Sequence, residues 1–176
     1  MQIHTRDVLK AVWLAALVFN MGIALAKTSG EVEQGAVLRD AMMRGLNGPD
    51  RQLSQYRGKP LLINVWASWC GPCRMEMGSL ERLAWQNQSK DFQVIGISTD
   101  DSEAAAKAYL RRANATINHY IDRALELENM LGAERLPLTI LVDGKGRVLG
   151  KFYGAREWDS PEAQQWISGL LRKAKT

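Results

Sequence analysis

Leu61-Leu62-Ile63-Asn64-Val65-Trp66 runs without a break into Ala67-Ser68-Trp69-Cys70-Gly71-Pro72-Cys73, and the reading of this stretch decides the fold. Six residues that are apolar except for Asn64 suit a strand covered on both faces, as in the middle of a parallel or mixed sheet. Beyond the second cysteine, Met77, Leu80, Leu83 and Ala84 recur at three- and four-residue spacing and predict a helix to about Gln88. A buried strand thus delivers Cys70 to a helix N-terminus.

That position has chemical content. A free cysteine, with a pKa of about 8.5, is mostly protonated at neutral pH, whereas the thiolate is the form that attacks disulfides. The unpaired N–H groups of a first helical turn, with the positive end of the dipole, favour a sulfur anion on Cys70. Cys73, one turn further in, is placed to attack the mixed disulfide that Cys70 forms with a target, which releases the reduced target and closes an internal bridge. Pro72 fits the first turn and Gly71 permits a tight approach, so this dipeptide also sets the shape of the bridge.

The chain holds only these two cysteines. A framework of several disulfides is excluded, and a bridge closing so short a loop adds little stability. Zinc would need two further ligands, and the histidines are only His4 and His119. Haem attachment requires a histidine directly after the second cysteine, where Arg74 stands. Two thiolates with Met75 or Met77 would suit soft Cu(I), so a copper-binding module without turnover stands as an alternative, although methionines on helices usually fill cores. A peroxidase would need a separate peroxidatic cysteine.

Outside the central stretch, residues 1–26 read as a signal peptide: Arg6 and Lys10, then Ala11-Val12-Trp13-Leu14-Ala15-Ala16-Leu17-Val18-Phe19, then Ala24-Leu25-Ala26. Uncleaved, the segment would be a membrane anchor, although it falls short of the roughly 20 residues a spanning helix needs. Either way the remainder is expected to fold in an oxidising compartment. Residues 27–37 lack a pattern and read as a linker, and 38–176 as one domain, for which 46% apolar content is ample. A net charge of +4, part of it in the leader, is too small to argue for nucleic acid. Arg172, Lys173 and Lys175 read as cations complementing the end of a last helix.

Strands and helices then alternate. Asp40 to Leu46 and Arg51 to Leu53 flank the turn Asn47-Gly48-Pro49-Asp50 as a small hairpin. Phe92 to Ile97 is a second buried strand, and Ser98 to Ser102 supplies caps for a helix over Glu103 to Ala113. A short strand at Ile117 to Tyr120 and a helix from Ala124 to Leu131, stopped by Gly132, follow. Leu138 to Val142 and Arg147 to Tyr153 form a hairpin about Asp143-Gly144-Lys145-Gly146. Ser160 caps a final helix that begins at Pro161 and turns Trp166, Ile167, Leu170 and Leu171 inward.

With Gly58-Lys59-Pro60 before the strand and Trp69-Cys70-Gly71-Pro72-Cys73 after it, the chain from about Leu38 onward resembles the thioredoxin superfamily, specifically its TlpA/ResA/DsbE branch of periplasmic or membrane-tethered proteins. The resemblance implies a three-layer α/β/α fold on a mixed central sheet, with an N-terminal β-hairpin and a central αβ insertion inside Glu103 to Leu131. It implies that Pro137 is the cis-proline facing the active site, that Leu136 offers its backbone to an extended target, and that Trp69, Gly71 and Pro72 help to shape the docking surface. Glu76 falls where the branch places a proton-handling acid, while Asn64 replaces the buried acid of cytosolic thioredoxin and cannot exchange a proton.

The function so implied is reduction of disulfides in exported protein clients, such as apocytochromes or copper-centre assembly proteins. A transmembrane thiol reductant would recharge the pair. The redox-active disulfide Cys70–Cys73 would be the only cofactor, and the membrane would be met only through the N-terminal segment. An oxidase that donates its disulfide is the alternative, against which Gly71-Pro72, the dipeptide of reducing thioredoxins, argues.

Overall fold

The computed structural model describes residues 30–86 and 91–174. The expected leader with His4, the first residues of the expected linker, the helix end near Gln88, and Lys175 lie outside them.

The strands are β1 (Met42–Gly45), β2 (Arg51–Gln52), β3 (Leu61–Trp66), β4 (Gln93–Ser98), β5 (Asn118–Ile121), β6 (Leu138–Val142) and β7 (Val148–Tyr153). The helices are α1 (Gly71–Gln86), α2 (Glu103–Arg112), α3 (Glu126–Leu131) and α4 (Pro161–Lys173), and a 3₁₀ turn spans Leu53–Tyr56. All seven strands join one sheet in the order β2-β1-β5-β4-β3-β6-β7. β3 pairs parallel with β4 and antiparallel with β6, so the sheet is mixed and β3 lies deep within it. Every residue of β3 is buried, as its unbroken apolar run requires.

Alternate residues of β3 serve two cores. Leu61, Ile63 and Val65 face a cluster with Leu127, Met130 and Leu131 of α3 and with Leu53 and Tyr56 of the 3₁₀ turn. Leu62 faces Leu80 and Leu83 of α1 and Ala163 and Ile167 of α4, while Trp66 packs with Met77 of α1 and Ala106 and Tyr109 of α2. The result is three layers: α1, α2 and α4 on one face, and α3 with the N-terminal segment on the other.

The central insertion is the α2–β5 crossover. β5 adds parallel to β4, and β1 then pairs antiparallel with β5, so the N-terminal hairpin docks on the inserted strand. Side chains fix that join. The Asn47 amide nitrogen donates to the Ile117 carbonyl at 2.8 Å, and its oxygen accepts from the His119 amide at 2.8 Å. From α1, the Glu81 carboxylate accepts from the amides of Thr116 and Ile117 just before β5.

Two expectations need correction. Residues 30–37, read as part of a linker, pack on the domain: Val32 is buried, its amide donates to the Met130 carbonyl, and Gly35 and Ala36 exchange backbone bonds with Val148. Glu31 pairs with Lys151 of β7. The segment is held by these isolated backbone bonds rather than by a periodic apolar face, so it carries no periodic signal. The helix expected from Ala124 begins instead at Glu126, because Leu125 takes a left-handed conformation, φ 55°, at its N-cap. Among the described residues, no helix is long and apolar enough to cross a membrane.

Behind the site, β4 passes so close to the side chains above it that only glycine fits at position 96. A Cβ there would lie 2.0 Å from Nδ1 of the buried His119 and 2.9 Å from Nε1 of Trp66. Replacing Gly96 with Ala is therefore expected to destabilise the domain by about 2 kcal/mol or more, as a shift of the urea midpoint at unchanged slope. A midpoint within error of the parent would show that His119 yields freely.

Candidate active site

Cys70 sits at the mouth of α1, and its thiol environment is built from the backbone. The Cys70 amide donates to the Ala67 carbonyl, the Arg74 amide donates to the Cys70 carbonyl, and the Cys73 amide points at Cys70 Sγ at 3.2 Å. A sulfur anion at this place would meet that N–H and the positive end of a 16-residue helix. Cys70 and Cys73 are joined in a disulfide with their Cα atoms 5.3 Å apart. The segment before them is pinned by a buried carboxylate: Asp100 accepts from the Ser68 amide (2.8 Å), the Ser68 hydroxyl (2.7 Å) and the Ser98 hydroxyl (2.7 Å).

An open groove of about 490 Å³ passes over the pair. Trp69, Cys70, Gly71, Pro72 and Leu136 line it together, and Trp69 is 69% exposed. Cys73 does not line it and is buried beneath. The Leu136–Pro137 bond is cis, as the resemblance implied, with Leu136 in the groove wall and Pro137 buried behind it. Of the methionines considered as copper ligands, Met77 is buried in the core and Met75 is exposed. Among the described residues, no three His, Cys, Asp or Glu side chains converge as metal ligands would.

Glu76 lies one helical turn beyond Cys73 on the same buried face of α1 and is only 1% exposed. Its Oε1 accepts from Asn64 Nδ2 at 2.8 Å. Its Oε2 accepts from Trp158 Nε1 at 2.9 Å and from the Arg156 amide at 3.1 Å. Burial pushes its pKa up to about 7, against the opposing pull of these donors. The Asn64 amide also reaches Thr139 Oγ1 at 3.0 Å, so the residue that replaces an acid beneath the site is a hydrogen-bond bridge to Glu76.

The family model described as Redoxin matches residues 35–167. The chain belongs to the Redoxin family. Among similar Redoxin proteins is the thiol-disulfide oxidoreductase ResA of Geobacillus thermodenitrificans, 28% identical over 81% of this chain and 82% of its own length. A Chlorobium tepidum structure described as a thiol:disulfide interchange protein DsbE is 26% identical, with a TM-score of 0.74 over 80% of this chain and 99% of that one. StoA from Bacillus subtilis, 18% identical with a TM-score of 0.64 over 76% of this chain and 97% of its own, shares the fold. This Redoxin protein is a thiol-disulfide oxidoreductase of the ResA and DsbE type, with the thioredoxin-like α/β fold.

Asp100, Thr139, Arg156 and Trp158 were not singled out by sequence reading. Nothing local marks them, since each acts on a residue far away in the chain. Trp158 could be found only as a large side chain with one N–H that must find a partner when buried.

Between about pH 4.5, where an unfolded glutamate ionises, and about pH 7, the folded state keeps a proton on Glu76 that the unfolded chain gives up. The folded state binds more protons in that window, so the Glu76 contribution to stability falls as pH rises through it, by roughly 3 kcal/mol. A Glu76→Gln variant, with the Asn64 amide turned to accept from it, lacks this loss. The difference in unfolding free energy between variant and parent is therefore expected to rise in favour of the variant by that amount from pH 4 to pH 8. The subtraction removes groups common to both, such as His119, whose burial lowers its pKa and works in the opposite direction. A difference independent of pH would show that Glu76 ionises normally.

Proposed function

We propose that this protein is a reductase of disulfides in exported protein clients, with Cys70 as the attacking and Cys73 as the resolving cysteine. The observation that carries the roles is that Cys70 lines the groove while Cys73 is shut beneath it. The thiolate of Cys70 attacks one client sulfur, so a Cys70–client bond forms, the client S–S bond breaks, and the leaving client thiolate takes a proton. Cys73 then gives its proton to Glu76 and attacks Cys70 Sγ. The Cys70–Cys73 bond forms, the second client thiolate leaves, and two electrons have passed to the client. A buried carboxyl whose pKa is about 7 suits this task because it both accepts and returns a proton near neutral pH.

Trp69, Gly71, Pro72 and Leu136 serve as the docking surface, with an extended client strand laid against the backbone of Leu136. Pro137 fixes the course of that wall. The direction of electron flow rests on the Gly71-Pro72 dipeptide and on the likeness to ResA-type proteins. The reading places the domain in the periplasm, free or tethered by residues 1–26. Clients would be apocytochromes or copper-centre assembly proteins, and a transmembrane thiol reductant would recharge the disulfide, with no separate cofactor.

The test is the reduction potential of the pair, read by trapping thiols after equilibration in glutathione or dithiothreitol buffers. A potential well below the roughly −180 mV of disulfide isomerase is expected, and one near the roughly −120 mV of strong oxidants would overturn the reductase direction. The roles are tested separately. Cys73→Ser is expected to accumulate a client disulfide on Cys70 that gel mobility without reductant detects, and Cys70→Ser to form none. Equal trapping by the two variants would refute the assignment.

A further inference from the structure

The two oxygens of Glu76 are held unequally. Oε2 accepts from Trp158 Nε1 at 2.9 Å and from the Arg156 amide at 3.1 Å, whereas Oε1 accepts from Asn64 Nδ2 at 2.8 Å. A carboxylate oxygen offers about two acceptor positions, so among the described residues Oε2 is filled and Oε1 keeps one position open. Both donors to Oε2 belong to the segment between β7 and α4, which the exchange steps above do not use.

Trp158 is fully buried, and both its backbone and its ring are fixed. Its amide donates to Ser79 Oγ at 3.0 Å, and that hydroxyl donates to the Glu76 carbonyl at 2.7 Å, so one side chain ties the backbones of the two residues together. Its ring meets Phe152 edge to face at 5.6 Å and Trp166 at 6.0 Å, which sets the plane in which the N–H reaches Glu76. Arg82 of α1 pairs with Glu157 and Asp159, the residues on either side of Trp158. A core tryptophan needs an acceptor for its N–H, and here the acceptor is the acid one turn beyond Cys73.

We infer that Trp158 is a positioning residue for the resolving step: with the Arg156 amide it occupies Oε2 of Glu76, so that the proton of Cys73 is taken up and returned at Oε1, on the side of Asn64. This role rests on the exchange chemistry proposed above. Cys73 loses its proton to Oε1, its sulfur bonds to Cys70 Sγ, and the client thiolate leaves with the electron pair of the broken bond. An N–H donor also favours the ionised carboxyl. Burial raises the proton affinity of Glu76, and the Trp158 indole is the largest of the donors that oppose it. Without the indole the carboxyl keeps its proton to higher pH and is a poorer acceptor at neutrality.

The test mixes the reduced full chain with excess dithiobis(nitrobenzoate), whose coloured thiolate reports both steps. The first equivalent leaves at a rate proportional to the reagent, as Cys70 attacks, and the second at a rate independent of it, as Cys73 resolves the mixed disulfide. In the parent the second phase is expected to rise with a midpoint near pH 7. In Trp158→Phe the midpoint should move up by about one unit, which makes this phase about fivefold slower at pH 7 and lets it meet the parent by about pH 9. In a Glu76→Gln background, Trp158→Phe should shift no midpoint. A role in packing alone would slow both phases at every pH and leave the midpoint in place, which would overturn the inference. A parent with no midpoint near pH 7 would instead overturn Glu76 as the proton acceptor, and release of a single equivalent would overturn the resolving role of Cys73. Proton NMR of the parent needs no change at Trp158: one indole N–H should titrate with the kinetic midpoint and stay flat in Glu76→Gln, and indole signals without that titration would also refute the role. That resonance should keep a hydrogen-bonded, downfield position on both sides of the midpoint. Its move to the range of a free indole at low pH would place the proton on Oε2 and overturn the assignment to Oε1.

Discussion

Glu76 carries a carboxylate that the fold has removed from water, and its three hydrogen-bond donors come from two parts of the chain far apart in sequence. Asn64 is in the central strand, Arg156 and Trp158 belong to the segment between β7 and α4, and Glu76 itself is on α1. Ser79, one turn further along α1, accepts from the Trp158 amide and extends the same seam. Leaving a charged group in such a place costs several kcal/mol unless it is satisfied. The three donors keep the ionised form within reach, and burial keeps the neutral form equally accessible. Asn64 suits both states, since an amide that donates to a carboxylate can turn and accept from a carboxylic acid. The groups that dock the C-terminal segment on α1 are therefore the groups that set the proton affinity beneath the disulfide.

Topology decides why the remaining parts of the site meet. β3 and β4 run parallel, so the chain leaves both at the same edge of the sheet: Ser68 to Cys70 after one, Thr99 to Asp101 after the other. β6 runs antiparallel to β3 and therefore starts at that edge, with Leu136 and Pro137 immediately before it. Three loops converge on one rim without any long excursion, as is general for sites at the carboxyl ends of parallel strands. Asp100 then ties the first two loops together through Ser68 and Ser98.

Much of this was legible because it is local. The strand Leu61–Trp66, the cysteine pair at a helix start, and the turn residues of both hairpins are each fixed by neighbours in sequence. The insertion and the cis bond at Pro137 were legible only through resemblance, because spacing alone does not say where a proline will sit. Glu76 shows the boundary clearly. On local grounds a carboxylate near a helix start belongs at the surface, favoured by the dipole, and only the distant Trp158 and Asn64 make it a buried one. The segment 30–37 failed for the same reason, since its order comes from Met130, Val148 and Lys151.

That N-terminal segment also closes a mechanical circuit around the groove. Glu31 sits so near Gly132 that a Cβ there would lie 2.4 Å from its carboxyl group, and Gly132 meets this with no side chain and a left-handed φ of 74°. The same Lys151 that pairs with Glu31 donates to the Leu131 carbonyl, and Ala133, Glu134 and Leu136 of the groove wall follow within five residues. The chain thus joins the domain directly behind the wall that faces Cys70, on the α3 side of the sheet. The wall is braced by Asp122, which lies just before α3 and accepts from its first amides, and by Glu31 and Lys151 from behind, so its apolar side chains stand at fixed positions relative to Cys70. Fixed positions suit a groove that takes up an extended segment, because little conformational freedom of the wall is lost when one binds.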